Sequence, residues 1–351
     1  MTNRKSRFIV PAQAADIMDQ YLDDLKAIVN IDSGTYTKSG VDRVAAYLQE
    51  RFQAFGFAAR LERQEQYGDH LVATHAGSAP GGPRILLVGH TDTVFPDGEV
   101  ARRPFTITRR DGQRVALGPG VLDMKSGLLI GMYALHLLIS SQQASYREVT
   151  FVCNSDEEIG SPSSRALIQE IGRQCDAALV LEPGRALDTV VSSRRASGQY
   201  RVAVRGLSAH AGVEPQKGRN AILELSYQVQ KMQALNGTVP GTSLSVGIIH
   251  GGDRVNVVPD YAYFDMDARA NSKPAIQAIE AAMQRVVAQP VLDGTQITLN
   301  GGMLSTPFER SQQNERLVGL VKEAGKDLGI DIQDVGSGGA SDANNTSAVG
   351  T

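Results

Sequence analysis

Residues 84–93 read RILLVGHTDT: an unbroken apolar run, a glycine, then a histidine and an aspartate two positions apart. An apolar run without alternation is what a strand buried on both faces of a parallel sheet needs. Two further runs of this kind follow, EVTFVCN at residues 148–154 and AALVL at residues 177–181. Apolar residues at helical spacing separate them, over residues 124–140 and 161–173. Buried strands alternating with helices imply an α/β sheet sandwiched between helix layers.

Upstream, Ile17, Tyr21, Leu25, Ile28 and Val29 recur at helical spacing. A second helix runs through Val41, Val44, Ala45, Leu48 and Phe52 and ends near Gly56. Short strands are expected at residues 58–63 and 70–75, then a Gly/Pro-rich turn at 78–83.

The pattern changes after Ser193. Residues 199–205 alternate like a half-exposed strand, and residues 218–233 are helical. Strands follow at 243–249 and 261–269, a helix at 275–288 and a strand at 296–299. This β-α-β-β-α-β order is ferredoxin-like. It predicts an α+β domain over residues 196–305, inserted into an α/β domain made of residues 1–195 and 306–351. After Pro307 a helix passes through Leu317, Val321 and Leu328, and residues 342–351 read as the start of another.

Bulk properties narrow the function. At about 150 residues per domain, 351 residues suit two domains. A net charge of -3 with no basic stripe argues against nucleic acid and anionic membranes as partners. Cys153 and Cys175 lack a framework spacing and sit in apolar runs, so both are expected as buried free thiols. The basic start is followed by an apolar run only at residues 8–10, too short for a secretory core. No stretch is expected to approach the ~20 apolar residues of a membrane span, so the protein is expected to be cytoplasmic.

Polar and acidic residues stand where the buried strands end. The first ends in His90-Thr-Asp92. The turn Gly118-Pro119-Gly120 leads to Asp123, the second strand to Glu157-Glu158, and the third to Glu182. Ligands bind beyond the carboxyl ends of strands in open α/β sheets. Each residue alone has a plainer reading: a capped histidine, a solvated Glu-Glu turn, an aspartate N-cap. At successive strand ends, however, one imidazole with several carboxylates is the ligand set of a divalent cation site. With one histidine, a pair of metals sharing a carboxylate fits better than a single ion.

The ordered motifs GHTDTVFP, GPGVLDMKSG, SDEEIGS, LEPGR and GLSAHAG, with the weaker GGDRVNVVP and DMDAR, resemble the aminoacylase and carboxypeptidase family of co-catalytic two-zinc metallopeptidases. The form of the first two most resembles glutamate carboxypeptidase (carboxypeptidase G type). Acetylornithine deacetylase and succinyl-diaminopimelate desuccinylase are relatives in that family. The resemblance implies a zinc-exopeptidase-like three-layer catalytic domain with an inserted ferredoxin-like lid and dimerisation domain. It implies two Zn2+ per subunit, with Mn2+ or Co2+ as substitutes. His90 and Glu182 would hold one ion, Glu158 the other, and Asp123 would bridge them. Asp92 would orient His90, Glu157 would be the general base, and His210 would stabilise the oxyanion, often from a partner subunit. Asn256 and Arg269 would bind substrate, the arginine gripping a carboxylate. Gly338 and Gly339 would hold the same carboxylate with backbone amides.

The family closes its second metal site with a histidine past the glycine loop. The six histidines here are His70, His75, His90, His136, His210 and His250, and none lies past it. The expectation is a chain whose C-terminal catalytic part is truncated, a piece of a longer protein. The activity expected is hydrolysis of the amide bond to a C-terminal amino acid, glutamate first, by a homodimer acting on small peptides or N-acyl amino acids. The alternatives are a deacetylase or desuccinylase and a non-catalytic binding or dimerisation module.

Overall fold

The structure is a computed structural model that describes residues 11–351. The basic start and the apolar run at residues 8–10 lie outside the described residues. The chain divides into two compact units. The first holds residues up to Val191 with Gln312–Asp334 and Ser341–Thr351; the second holds Ser192–Ser311 and Val335–Ala340.

In the first unit, α1 (Pro11–Asp16), α2 (Met18–Val29) and α3 (Lys38–Ala54) precede β1 (Ala58–Glu62), β2 (His70–Ala76) and β3 (Arg84–His90). Then come α4 (Glu99–Arg102), β4 (Thr106–Arg110) and β5 (Gln113–Leu117). A kinked turn, Val121–Lys125, with non-helical backbone at Asp123 and Met124, runs into α5 (Ser126–Ser140). After it stand β6 (Glu148–Asn154), α6 (Arg165–Gly172) and β7 (Ala177–Val180), and β8 (Thr189–Arg194) begins in this unit and ends in the second.

Five strands form one sheet in the order β1-β2-β6-β3-β7. β3 runs parallel to β6 and β7, and β2 pairs antiparallel with β6 and with β1. Side chains alternate between its faces. Leu71, Ala73, Leu87, Phe151 and Cys153 pack with residues of α2, α3 and α5. Val72, Leu86, Val88 and Val152 pack with Ile168 of α6. The unit is therefore the expected three-layer α/β arrangement. Phe52 of α3 meets Phe57 and Phe151 edge-on, each at 5.1 Å between ring centres.

Several local expectations need correction. Residues 121–140 are long and apolar enough to cross a membrane by length and composition. Here Leu128, Leu129, Met132, Tyr133 and Leu135 of α5 are buried in the core, and an apolar helix packed within a protein needs no bilayer. β7 is half-buried rather than buried, with Leu179 exposed, because it pairs with β3 alone. Cys153 is buried but Cys175 only half-buried; both are free. The helix expected over residues 161–173 starts at Arg165. Ser161, Ser163 and Ser164 give their hydroxyls to Asp342 and Asp156, and such side-chain bonds compete with helix formation. The β4–β5 hairpin was not anticipated, although Asp111-Gly112, both at positive φ, is a strong hairpin signal.

The second unit contains β9 (Ala196–Arg205), α7 (Ala221–Gln233), β10 (Thr242–Gly251), β11 (Tyr261–Ala270), α8 (Lys273–Val287) and β12 (Gln296–Met303). Its antiparallel sheet has the order β10-β11-β9-β12, as the ferredoxin-like pattern requires. Val202, Val204, Phe264, Met266 and Ala268 pack against Leu225, Met232, Ile279 and Met283. Asn220 and Ser272 cap the two helices. Residues 335–340, with the glycine loop, cluster with this unit, beyond the 196–305 boundary expected. The chain ends through α9 (Gln312–Asp327), β13 (Gln333–Ser337) and α10 (Asp342–Ser347), whose N-terminus carries a capping box of Ser341 and Asn344.

Helix α5 can approach the chain after β7 only because residue 127 is glycine. A Cβ there would lie 2.2 Å from the Leu181 carbonyl oxygen. Gly127→Ala should therefore lower unfolding free energy by about 1–3 kcal/mol in denaturant titration. Gly319→Ala, in α9 with open space around the added methyl, should be neutral or stabilise by up to about 1 kcal/mol.

Candidate metal centre

The parallel strands of the first unit end side by side. β3 and β6 are in register to their last residues, with His90 opposite Asn154. His90 closes β3, and Asp123 sits with extended backbone in the kinked turn before α5. Glu157 and Glu158 open a one-turn 3-10 helix just after β6, and Glu182 lies two residues past β7.

These side chains converge. His90 Nε2 lies 3.2 Å from Asp123 Oδ1 and 3.6 Å from Glu182 Oε1. Its Nδ1 lies 2.9 Å from the Asp92 backbone oxygen and 3.3 Å from Asp92 Oδ1. A proton on Nδ1 is thus held by Asp92, and Nε2 faces the other carboxylates. A second hydrogen bond of this kind fixes the ring of a metal-ligating histidine. His90 is fully buried, whereas the Asp123 side chain is 55% exposed, so the cluster opens to solvent on that side.

Asp92 does more than orient the ring. Its carboxylate accepts the Thr35 hydroxyl at 2.7 Å and the backbone N–H groups of Glu157 and Glu158 at 3.3 Å each. One buried carboxylate therefore places the histidine and both glutamates.

The electrostatics are those of crowded like charges. Burial pushes the Glu157 carboxyl well above its ordinary pKa; Asp342, Glu182 and Glu158 add to this, and His90 opposes it. Burial also raises Glu158 to about 7, with His90 again opposing and Asp123, Asp92 and Glu182 adding. Burial works against charge on His90, but hydrogen bonds to Asp123 and Asp92 outweigh it and hold its pKa well up.

Two donor triads have ligand atoms within 4.8 Å of one another: His90, Asp123 and Glu158, and His90, Glu157 and Glu182. Imidazole and carboxylate oxygens are the donors that zinc and similar divalent ions take. Carboxylates that repel one another in a buried site gain most from such a cation. The residues present therefore fit the metal. Glu157, expected only as a base, stands as near to His90 and Glu182 as a ligand does. No histidine besides His90 belongs to either triad among the described residues. His70 is bonded to Ser155 and Ser163, His75 to Tyr146, and His136 stacks on Phe55.

The remaining expected residues all lie in the second unit. His210 and Asn256 stand on adjoining segments, with Ala211 N–H donating to the Asn256 carbonyl at 3.0 Å. His210 is exposed, and its Nδ1 accepts the Gly212 N–H at 3.2 Å. That bond leaves the ring proton on Nε2, as an outward donor. Arg269 holds Asp267 with two parallel bonds of 2.8 Å. Arg195 joins Arg269 to the glycine loop: its guanidinium donates to the Arg269 carbonyl and its backbone N–H to that of Ser337. The Gly339 N–H donates to Ser337 Oγ at 3.3 Å.

Three residues around the cluster escaped the sequence reading. Thr35 supports Asp92. Lys125 is buried, its pKa lowered by burial to about 7, and it donates to the carbonyls of Ile28 and Ile31 around the C-terminal end of α2. Asp342 is a buried carboxylate near Glu157. Lys125 stands in the GPGVLDMKSG motif and Asp342 just past the glycine loop, but the partners that give each its role are far off in sequence.

The fold and this donor set are those of a metal-dependent hydrolase, and the chain belongs to peptidase family M20/M25/M40, whose model matches residues 86–351. It is 28% identical to Carboxypeptidase G2 of Pseudomonas sp. (strain RS-16), over 94% of this chain and 79% of that protein. It is 30% identical to acetylornithine deacetylase of Myxococcus xanthus, over 64% of this chain and 60% of that one. In fold it is similar to aminopeptidase PepT of Bacillus cereus ATCC 10987, with a TM-score of 0.79, 22% identity, and coverage of 95% of this chain and 88% of that one.

Asp92→Asn would turn an amide NH2 toward donors that now meet an oxygen. Equilibrium dialysis against Zn2+ should show affinity falling about 10–100-fold. Unchanged affinity would remove Asp92 from the account of the site.

Proposed function

We propose that this chain is a metallo-exopeptidase that hydrolyses the amide bond to a C-terminal amino acid, with glutamate as the preferred residue. The observation that carries the reading is the Glu157-Glu158 turn. Both its N–H groups are bound by Asp92, and both its carboxyl groups lie within ligand distance of His90.

His90, Asp123, Glu158 and Glu182 would hold two divalent ions, zinc first, with Mn2+ or Co2+ as substitutes. When bound, such ions supply Lewis acidity, polarising an amide carbonyl and acidifying water. The chain's own groups supply the rest. Glu157 takes a proton from the attacking water and hands it to the departing amine, a role suited to a carboxyl whose pKa burial has raised. Adjacent side chains diverge, so Glu157 can serve as base while Glu158 serves as ligand. The outward Nε2–H of His210 is suited to donate to the oxyanion. Asn256, Arg269, Gly338 and Gly339 would receive the substrate, and Arg269 would exchange Asp267 for the substrate carboxylate. A homodimer through the second unit is part of the proposal: β10 is an edge strand there, with Ile248 and Ile249 exposed.

Similarity to Carboxypeptidase G2 and the form of the GHTDTVFP motif support C-terminal glutamate. The 30% identity to an acetylornithine deacetylase favours a second reading, an amidohydrolase of N-acyl amino acids.

A panel of acyl-glutamates, other acyl amino acids and acetylornithine, with metal counted per chain, separates these readings. Turnover of acyl-glutamates above the rest is expected; cleavage of the others without glutamate release rejects the glutamate assignment. Chelation should abolish turnover and added Zn2+ restore it. Glu157→Gln should lower kcat by about 10²–10⁴-fold. Metal bound per chain should stay the same; loss of metal in this variant would make Glu157 a ligand instead of the base.

A further inference from the structure

Asp342 has no place in the activity proposed above, yet its setting is specific. Its side chain is buried at the start of α10, and both carboxylate oxygens are engaged. Oδ2 accepts Asn154 Nδ2 at 2.7 Å. Oδ1 accepts the Ser161 hydroxyl at 2.6 Å and Asn345 Nδ2 at 2.9 Å.

Asn154 and Ser161 flank the segment that carries Glu157 and Glu158. Asn154 is the last residue of β6, and its carbonyl accepts both the N–H and the hydroxyl of Thr91, the neighbour of His90, at 2.8 Å each. Ser161 closes the segment, its N–H donating to the Asp156 carbonyl at 2.8 Å. Asp342 thus ties the entry and the exit of the turn to one anchor more than 180 residues away in sequence. Asp92 holds the same turn through its own N–H groups.

We propose that Asp342 is a positioning residue: a buried double acceptor that clamps Asn154 to Ser161 and so fixes the turn presenting Glu157 and Glu158. A carboxylate suits this place because every partner on Oδ1 and Oδ2 is a donor. An asparagine would set its NH2 against one of them. The inference rests on the hydrolase reading for its activity readout alone.

The test compares the wild-type chain with Asp342→Asn and Ser161→Ala, the second removing one donor and leaving the carboxylate. Amide hydrogen exchange followed by mass spectrometry reads the turn directly. Both variants should exchange about tenfold or more faster in peptides covering residues 155–163, with β2, β3 and β6 unchanged. Cobalt titration followed by absorption should show affinity about 10–100-fold weaker. Where hydrolysis is measured, kcat should fall about tenfold or more with KM within about threefold. Exchange unchanged in the turn, or raised throughout the first unit in Ser161→Ala, overturns the proposal. A wild-type chain that cleaves no amide sinks the hydrolase reading and leaves the exchange test of Asp342 standing.

Discussion

The parallel pairing of β3 with β6, in register to their final residues, is the constraint from which the site follows. It sets His90 opposite Asn154, so the loops leaving both strands start from one place. β7 pairs on the other side of β3 and delivers Glu182. The hydrogen-bond ladder fixes these positions to fractions of a residue, because a slip by one would turn His90 to the opposite face of the sheet. Burial of Leu86, Leu87, Val88, Phe151 and Val152 on the two faces enforces that register.

A rigid ladder alone would leave the glutamates on a loop. Buried acceptors give that loop a definite shape. Asp92 receives the N–H groups of Glu157 and Glu158, and Asp156 receives the backbone N–H of Ser163 and the hydroxyls of Ser163 and Ser164. Removing such an acceptor leaves a buried donor unpaired, which costs about 1–3 kcal/mol each. The turn is therefore held by the cost of its alternatives as much as by its own bonds. The carboxyl groups it presents are crowded, and burial keeps their pKa values high. A divalent cation would relieve that crowding, so stability and metal affinity would draw on the same charges.

The second unit follows a different logic. Its antiparallel sheet buries one face under α7 and α8, and alternation along β9 and β11 records this directly. Two of its candidate substrate groups, the His210 loop and the Arg269–Asp267 pair, are short-range features, while the glycine loop is tied to Arg269 across the sequence through Arg195. Each is held by neighbours within the unit.

The sequence by itself determined the class of both units and which acidic residues would gather around His90. Unbroken apolar runs name buried strands, β-α-β-β-α-β order names the inserted unit, and acidic residues at successive strand ends name the donors. These signals are local, carried by period and by residues a few positions apart. Tertiary structure alone decided the rest. It shortened α6, because the serines before it bond to Asp156 and Asp342. It made residues 126–140 a helix of the core, because Leu128, Leu129, Met132, Tyr133 and Leu135 pack beneath neighbouring elements. It also brought Thr35 and Asp342 to the site from distant stretches of chain, and turned Lys125 to the carbonyls of Ile28 and Ile31. A buried polar residue takes its role from the partner it meets in space, and that partner is fixed only when the chain has closed around both.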